Sequence, residues 1–138
     1  MNIIDLDGNR HNWNLTGNIA KARIHDKSSF HLVARQLLIE TYPTLQILEE
    51  VPIQLRKSET LYLDFFLPLI KTAIEVHGQQ HYEFIPFYHG NRMSFLKAQK
   101  KDREKEEWCL LNGLKFVALP YNETVDQWKN KIYEQQNI

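Results

Sequence analysis

Residues 61–82 read Leu-Tyr-Leu-Asp-Phe-Phe-Leu-Pro-Leu-Ile-Lys-Thr-Ala-Ile-Glu-Val-His-Gly-Gln-Gln-His-Tyr, and the fold is decided here. Leu61 to Leu67 is rich in aromatic and bulky apolar side chains. It stops at Pro68, which has no amide hydrogen to give to a central ladder. Lys71 to His77 is a second β-prone run, closed by Gly78. Upstream, Ile47, Val51, Ile53 and Leu55 fall on one face of a period-two pattern from Gln46 to Leu55. Arg56-Lys57-Ser58-Glu59-Thr60 makes the polar turn that follows. Three strands joined this tightly predict an antiparallel meander.

Helices flank the meander. Ser28 or Ser29 is placed to cap a helix with the stripe Phe30, Val33, Leu37, with Ala34 and Leu38 beside it and Pro43 just past its end. Arg92 to Asn112 is rich in Lys, Glu, Gln and Leu, and Gly113 suits the left-handed position after its last turn. Leu114 to Leu119 predicts a strand stopped by Pro120. Asn122 is placed to cap a final helix with stripe Val125, Trp128, Ile132. The order predicts an α/β (α+β) fold with a mixed sheet of about four strands and helices on both sides. Ile3–Leu6 and Trp13–Leu15 around Asp7-Gly8-Asn9 predict a satellite hairpin. Residues 1–27 are thus an N-terminal hairpin or arm on a globular domain, 28–138.

The chain has 138 residues, 43% of them hydrophobic, enough for one substantial core. No run approaches the roughly 18 apolar residues of a membrane span, and the start lacks a secretory pattern, so a cytoplasmic protein is expected, in a host cell if phage-encoded. The single cysteine, Cys109, excludes an internal disulfide and a cysteine zinc cage. Seventeen basic side chains balance seventeen acidic ones, so nucleic-acid binding has to come from local charge. Such charge is available at Arg56 and Lys57 and at Lys97, Lys100, Lys101, Arg103 and Lys105, although acids interleave the helical set and a solvated helix is its default. Trp108 and Trp128 are expected in the core.

Alternation puts Asp64 opposite Leu63 and Phe65, and puts Glu75 and His77 on a shared face. Two carboxylates on adjacent strands repel unless a cation lies between them. Mg²⁺ (or Mn²⁺) suits them, because it needs few protein carboxylates and keeps waters and phosphate oxygens as its other ligands. His77 and His81 follow closely, and imidazole is the side chain that exchanges protons near neutral pH. Asp102 lies on a helical line with Phe95, Ala98 and Cys109, so it faces the sheet and needs a partner, for which His81 is the expectation.

The segments 63–68, 74–82, Lys101-Asp102-Arg103 and 113–117 together resemble the PD-(D/E)XK nuclease superfamily. The likeness is to its branch of very-short-patch repair endonucleases and similar phage-borne or homing endonucleases, and it covers roughly residues 28 to 122. It implies a restriction-endonuclease-like fold, metal held by Asp64 and Glu75, a base at His81 and support from Asp102. The Gly-Gln-Gln-His run adds Gln79 to the candidate catalytic set of Asp64, Glu75, His77, His81 and Asp102. Two positions depart from the pattern: His77 stands where the superfamily has lysine and the branch has aspartate, and Phe30 and His31 stand where the branch has an early helical glutamate. Glu49 is the candidate replacement for that glutamate.

The expected activity is metal-dependent endonucleolytic cleavage, of DNA in the first place, leaving a 5′-phosphate. Two other classes compete: a catalytically inactive nuclease-fold module that binds nucleic acid or protein, and a zinc hydrolase or structural zinc site using His77 and His81, with or without His89. Near-neutral charge fits a weak binder that works as a homodimer or within a larger phage or host nucleic-acid assembly.

Overall fold

Pro68 ends a strand and begins a single 3₁₀ turn, Pro68–Ile70, after which Lys71 turns the chain through a left-handed conformation (φ 48°) into the next strand. In the computed structural model, which describes residues 1–15, 18–19 and 29–136, the elements run β1 (Asn2–Ile4), β2 (Arg10–Asn12), β3 (Asn18–Ile19), α1 (Ser29–Thr41), β4 (Leu48–Arg56), β5 (Glu59–Leu67) and β6 (Thr72–His77). They continue with α2 (Pro86–His89), α3 (Arg92–Leu111), β7 (Lys115–Pro120) and α4 (Val125–Gln136). Among the described residues the main sheet has the order β3-β4-β5-β6-β7. The β4-β5-β6 meander is antiparallel, and β7 joins β6 in parallel after the crossover through α3. The expected mixed sheet is present, with β3 as a two-residue addition at its edge.

Helices cover both faces. Ala34, Leu37 and Leu38 of α1 and Trp128 and Ile132 of α4 bury Phe65, Leu67, Ile74, Val117 and Leu119 on one side. On the other, Trp108 and Cys109 of α3 lie with Val51, Ile53, Leu55, Leu63, Phe66 and Ala73. The N-terminal hairpin pairs Asn2 to Asn12 and Ile4 to Arg10. It is tied into this second core, because Trp13 packs edge-on against Trp108 at 5.3 Å and Ile3 is buried beside it. Asn112 completes the tie by accepting from the Ile4 amide (2.7 Å) and donating to the Ile4 carbonyl (2.9 Å).

Three local expectations are corrected. Ile47 packs under α1, whereas Val51, Ile53 and Leu55 face α3, so the period-two pattern changes phase between them. Glu50 sits at that change with φ 54°, a conformation that breaks alternation. On α1 the buried set is His31, Ala34, Arg35, Leu37 and Leu38, while Phe30 and Val33 are exposed. The stripe is rotated because His31 and Arg35 turn inward to the buried Glu49. The last helix is capped by Thr124, not Asn122: its hydroxyl accepts from the Gln127 amide (3.2 Å) and the Gln127 side chain accepts from the Thr124 amide (2.8 Å). Of the two serines expected to cap α1, Ser28 lies outside the described residues, and Ser29 is the first residue of the helix.

Candidate functional site

Ladder pairing between β5 and β6 ends at Phe65 and Ile74, and the next two positions in register are Asp64 and Glu75. There the ladder gives way to side chains. The Asp64 amide donates to Glu75 Oε2 at 2.6 Å, and the Val76 amide donates to Asp64 Oδ2 at 2.8 Å. Each carboxylate is thus held by the backbone of the strand carrying the other. Leu63 and Phe65 belong to opposite cores, so β5, like β4, breaks its alternation at this point. Asp64 was expected opposite both of them; the phase change places it instead at the junction.

Glu75 is 1% exposed. Burial first, and then the adjacent Asp64 charge, push its carboxyl up to about 7. Against this acts Lys105 from α3, whose Nζ lies 2.5 Å from Glu75 Oε1. Burial alone would lower the Lys105 ammonium, but Glu75 outweighs that and holds it above the ordinary lysine range. Sequence reasoning placed Lys105 only in the basic set on the helix and missed its pairing with Glu75. A signal was available: it follows Asp102 by three positions and precedes Cys109 by four, the helical spacing that puts all three on one face.

The expected pair of His81 and Asp102 is present, with His81 Nδ1 2.7 Å from Asp102 Oδ2. A carboxylate there fixes the imidazole with its proton on Nδ1 and leaves Nε2 to accept. The His77 ring stacks on His81 at 4.4 Å between centroids and 12° between planes, and Tyr82 Oη lies 3.3 Å from His77 Nδ1. Burial, then the adjacent His81, pull His77 down to about 4, so it is a neutral imidazole at pH 7. These three residues line an open cleft of about 330 Å³ with Gln99, Asp102 and Arg103.

Other candidates lie elsewhere. Gln79 hydrogen-bonds Glu83 and lines a separate depression with Ser29, Phe30 and Gln80, so the structure does not bring it to the histidines. Arg56 is held by Glu104 and by Glu59 (2.7 Å), which withdraws it from the expected nucleic-acid surface. Lys57 is exposed at the β4–β5 turn, and Lys97, Lys100, Lys101 and Arg103 are exposed on α3. Glu49 does not join Asp64; it is fully buried under α1 with His31 and Arg35 (3.1 Å). His89 is committed to backbone, with Nε2 2.9 Å from the Gln80 carbonyl and Nδ1 3.0 Å from the Ile85 amide, so it does not join His77 and His81, which stack on one another.

The Asp64 charge adds to burial in raising the Glu75 carboxyl, while the Asp64 amide and Lys105 engage the two Glu75 oxygens and the Val76 amide engages Asp64 Oδ2. No family model matches the chain, and no solved structure matches it. Similar sequences occur in viruses. Uncharacterized protein 307L of Invertebrate iridescent virus 6 is 36% identical over 61 residues, 44% of this chain and 31% of that protein. Uncharacterized protein 033L of Invertebrate iridescent virus 3 is 36% identical over 64 residues, 46% of this chain and 33% of that protein. Uncharacterized protein 094L of Frog virus 3 (isolate Goorha) is 39% identical over 65 residues, 46% of this chain and 42% of that protein. The match therefore spans less than half the length of each relative. Among the described residues, no helix is long and apolar enough to cross a membrane.

Proposed function

We propose that the chain is a metal-dependent endonuclease of the PD-(D/E)XK type, cleaving nucleic acid, DNA in the first place, to leave a 5′-phosphate. The observation that carries this reading is the interlocked pair Asp64 and Glu75 at the point where β5 and β6 part, with the Lys105 ammonium on Glu75. Lys105 supplies from α3 the positive charge that the superfamily draws from the position of His77.

Asp64 and Glu75 would hold Mg²⁺, which supplies Lewis-acid polarisation of the phosphate and a more acidic water. The Lys105 ammonium favours the charged, ligating form of Glu75 against burial and the Asp64 charge, which leave the carboxyl at about 7. His81, oriented by Asp102, takes the proton from the attacking water through Nε2. The new bond forms between water oxygen and phosphorus, and the bond to the 3′ oxygen breaks; that oxygen leaves with the bonding pair and takes a proton from solvent water, giving a 5′-phosphate and a 3′-hydroxyl. Lys97, Lys100, Lys101 and Arg103 are available to follow the phosphate backbone. The chain would act in the cytoplasm, of a host cell if viral, as a homodimer or within a larger nucleic-acid assembly.

The test is a cleavage panel of single-stranded, duplex, nicked and branched DNA and RNA with Mg²⁺ or Mn²⁺. Asp64→Asn and Glu75→Gln are expected to lower cleavage by about 100-fold or more while leaving binding. Equal cleavage by all three proteins overturns the reading. Binding with no cutting under any metal overturns it in favour of an inactive nuclease-fold module.

A further inference from the structure

The oxygen donors at Asp64 and Glu75 are not the only ligand set on this face. We propose that His77, His81 and Asp102 form a second site, for a divalent transition ion of the Zn²⁺ class. Each offers one ligand atom, and these atoms all lie within 4.8 Å of one another.

The donor chemistry separates the two sites. Imidazole suits zinc, nickel and copper, whereas Mg²⁺ takes oxygen ligands and keeps its waters. Two imidazoles and one carboxylate match the three-ligand pattern in which zinc retains an open position, and the open cleft of about 330 Å³ admits water or a ligand atom there. The three side chains are gathered before any ion arrives: His77 is 8% exposed on β6, Asp102 is carried by α3, and His81 lies between them, stacked on His77 and hydrogen-bonded to Asp102. An imidazole binds metal in its own plane, so the near-parallel rings would turn out of the stack to share an ion. Tyr82 Oη at His77 Nδ1 is a second contact of the kind that orients a ligating ring. Two nearby charges oppose a cation: Lys105, which is matched by Glu75 at 2.5 Å, and Arg103, which lines the cleft together with the acid Glu106.

The consequence for activity rests on the nuclease reading: an ion on His81 occupies the proton acceptor, so Zn²⁺ would inhibit Mg²⁺-dependent cleavage. The site itself does not rest on that reading and is tested by binding. Metal-stripped full chain is titrated with ZnCl₂ by calorimetry and with CoCl₂ by visible absorption, which reports nitrogen and oxygen donors around cobalt. One ion per chain is expected, weakened about tenfold or more in His77→Gln and in Asp102→Asn and unchanged in Asp64→Asn. Asp102 is partly exposed, so its variant stays informative if the buried His77 variant does not fold. No binding at micromolar ion, equal binding in wild type and Asp102→Asn, or loss in Asp64→Asn overturns the proposal. Zinc binding without cleavage sinks only the nuclease reading; cleavage without zinc binding sinks only this one.

Discussion

Replacing Lys105 with methionine keeps the stem of the side chain and removes the charge that Glu75 faces at 2.5 Å. Burial and the Asp64 charge push the folded Glu75 carboxyl up to about 7 from an ordinary 4.5. A carboxyl whose folded value is raised contributes stability that is complete below about pH 4.5 and is lost as pH rises to about 7, where the loss ends. Lys105 pulls that folded value down, so without it the value moves above 7 and the loss continues to higher pH. Wild type and Lys105→Met should therefore run parallel below about pH 7, separated by roughly 1–2 kcal/mol for the lost hydrogen bond. Above it the variant should fall behind by up to about 1.4 kcal/mol per pH unit until Glu75 ionises. Urea unfolding in unit steps from about pH 6 to pH 9 reads this directly, and Lys105→Met combined with Glu75→Gln should abolish the extra slope. A gap that stays constant across this range, or narrows at high pH, refutes the coupling of these two groups.

His81→Ala should lower metal-dependent cleavage by about 10²- to 10⁴-fold, and Asp102→Asn should lower it less while shifting the pH–rate profile, measured under single-turnover conditions. Trp108→Ala should destabilise the chain by about 3–5 kcal/mol in chemical denaturation, because the indole is fully buried and its Nε1 donates to the Gln54 carbonyl at 3.0 Å. For Glu49, burial pulls upward but hydrogen bonds from His31 and Arg35 outweigh it and hold the carboxyl below its ordinary value. Its contribution is thus present above about pH 4.5 and lost as pH falls through the depressed folded value. Glu49→Gln should flatten the acid limb of the stability curve, and an unchanged acid limb counts against the assignment.

Local chemistry alone determined the strands, since Pro68, Gly78, Gly113 and Pro120 end elements for reasons contained in a few residues, and period two is visible wherever one face is buried. The contact between His81 and Asp102 was legible as well, because a helical repeat placed the acid toward the sheet and a buried acid needs a partner. The phase changes at Glu50 and Asp64 were not legible. A single backbone rotation flips every later side chain, and no residue type announces it. The inward turn of His31 and Arg35 depends on Glu49, 18 and 14 positions away, and so on packing between elements. Lys105 is the sharpest case. Its neighbours in sequence are charged and describe a solvated helix, and only the docking of α3 across β6 brings its ammonium to a carboxylate 30 residues earlier. Periodicity reports which way a side chain leaves its own element; what it meets is set by the elements packed against it.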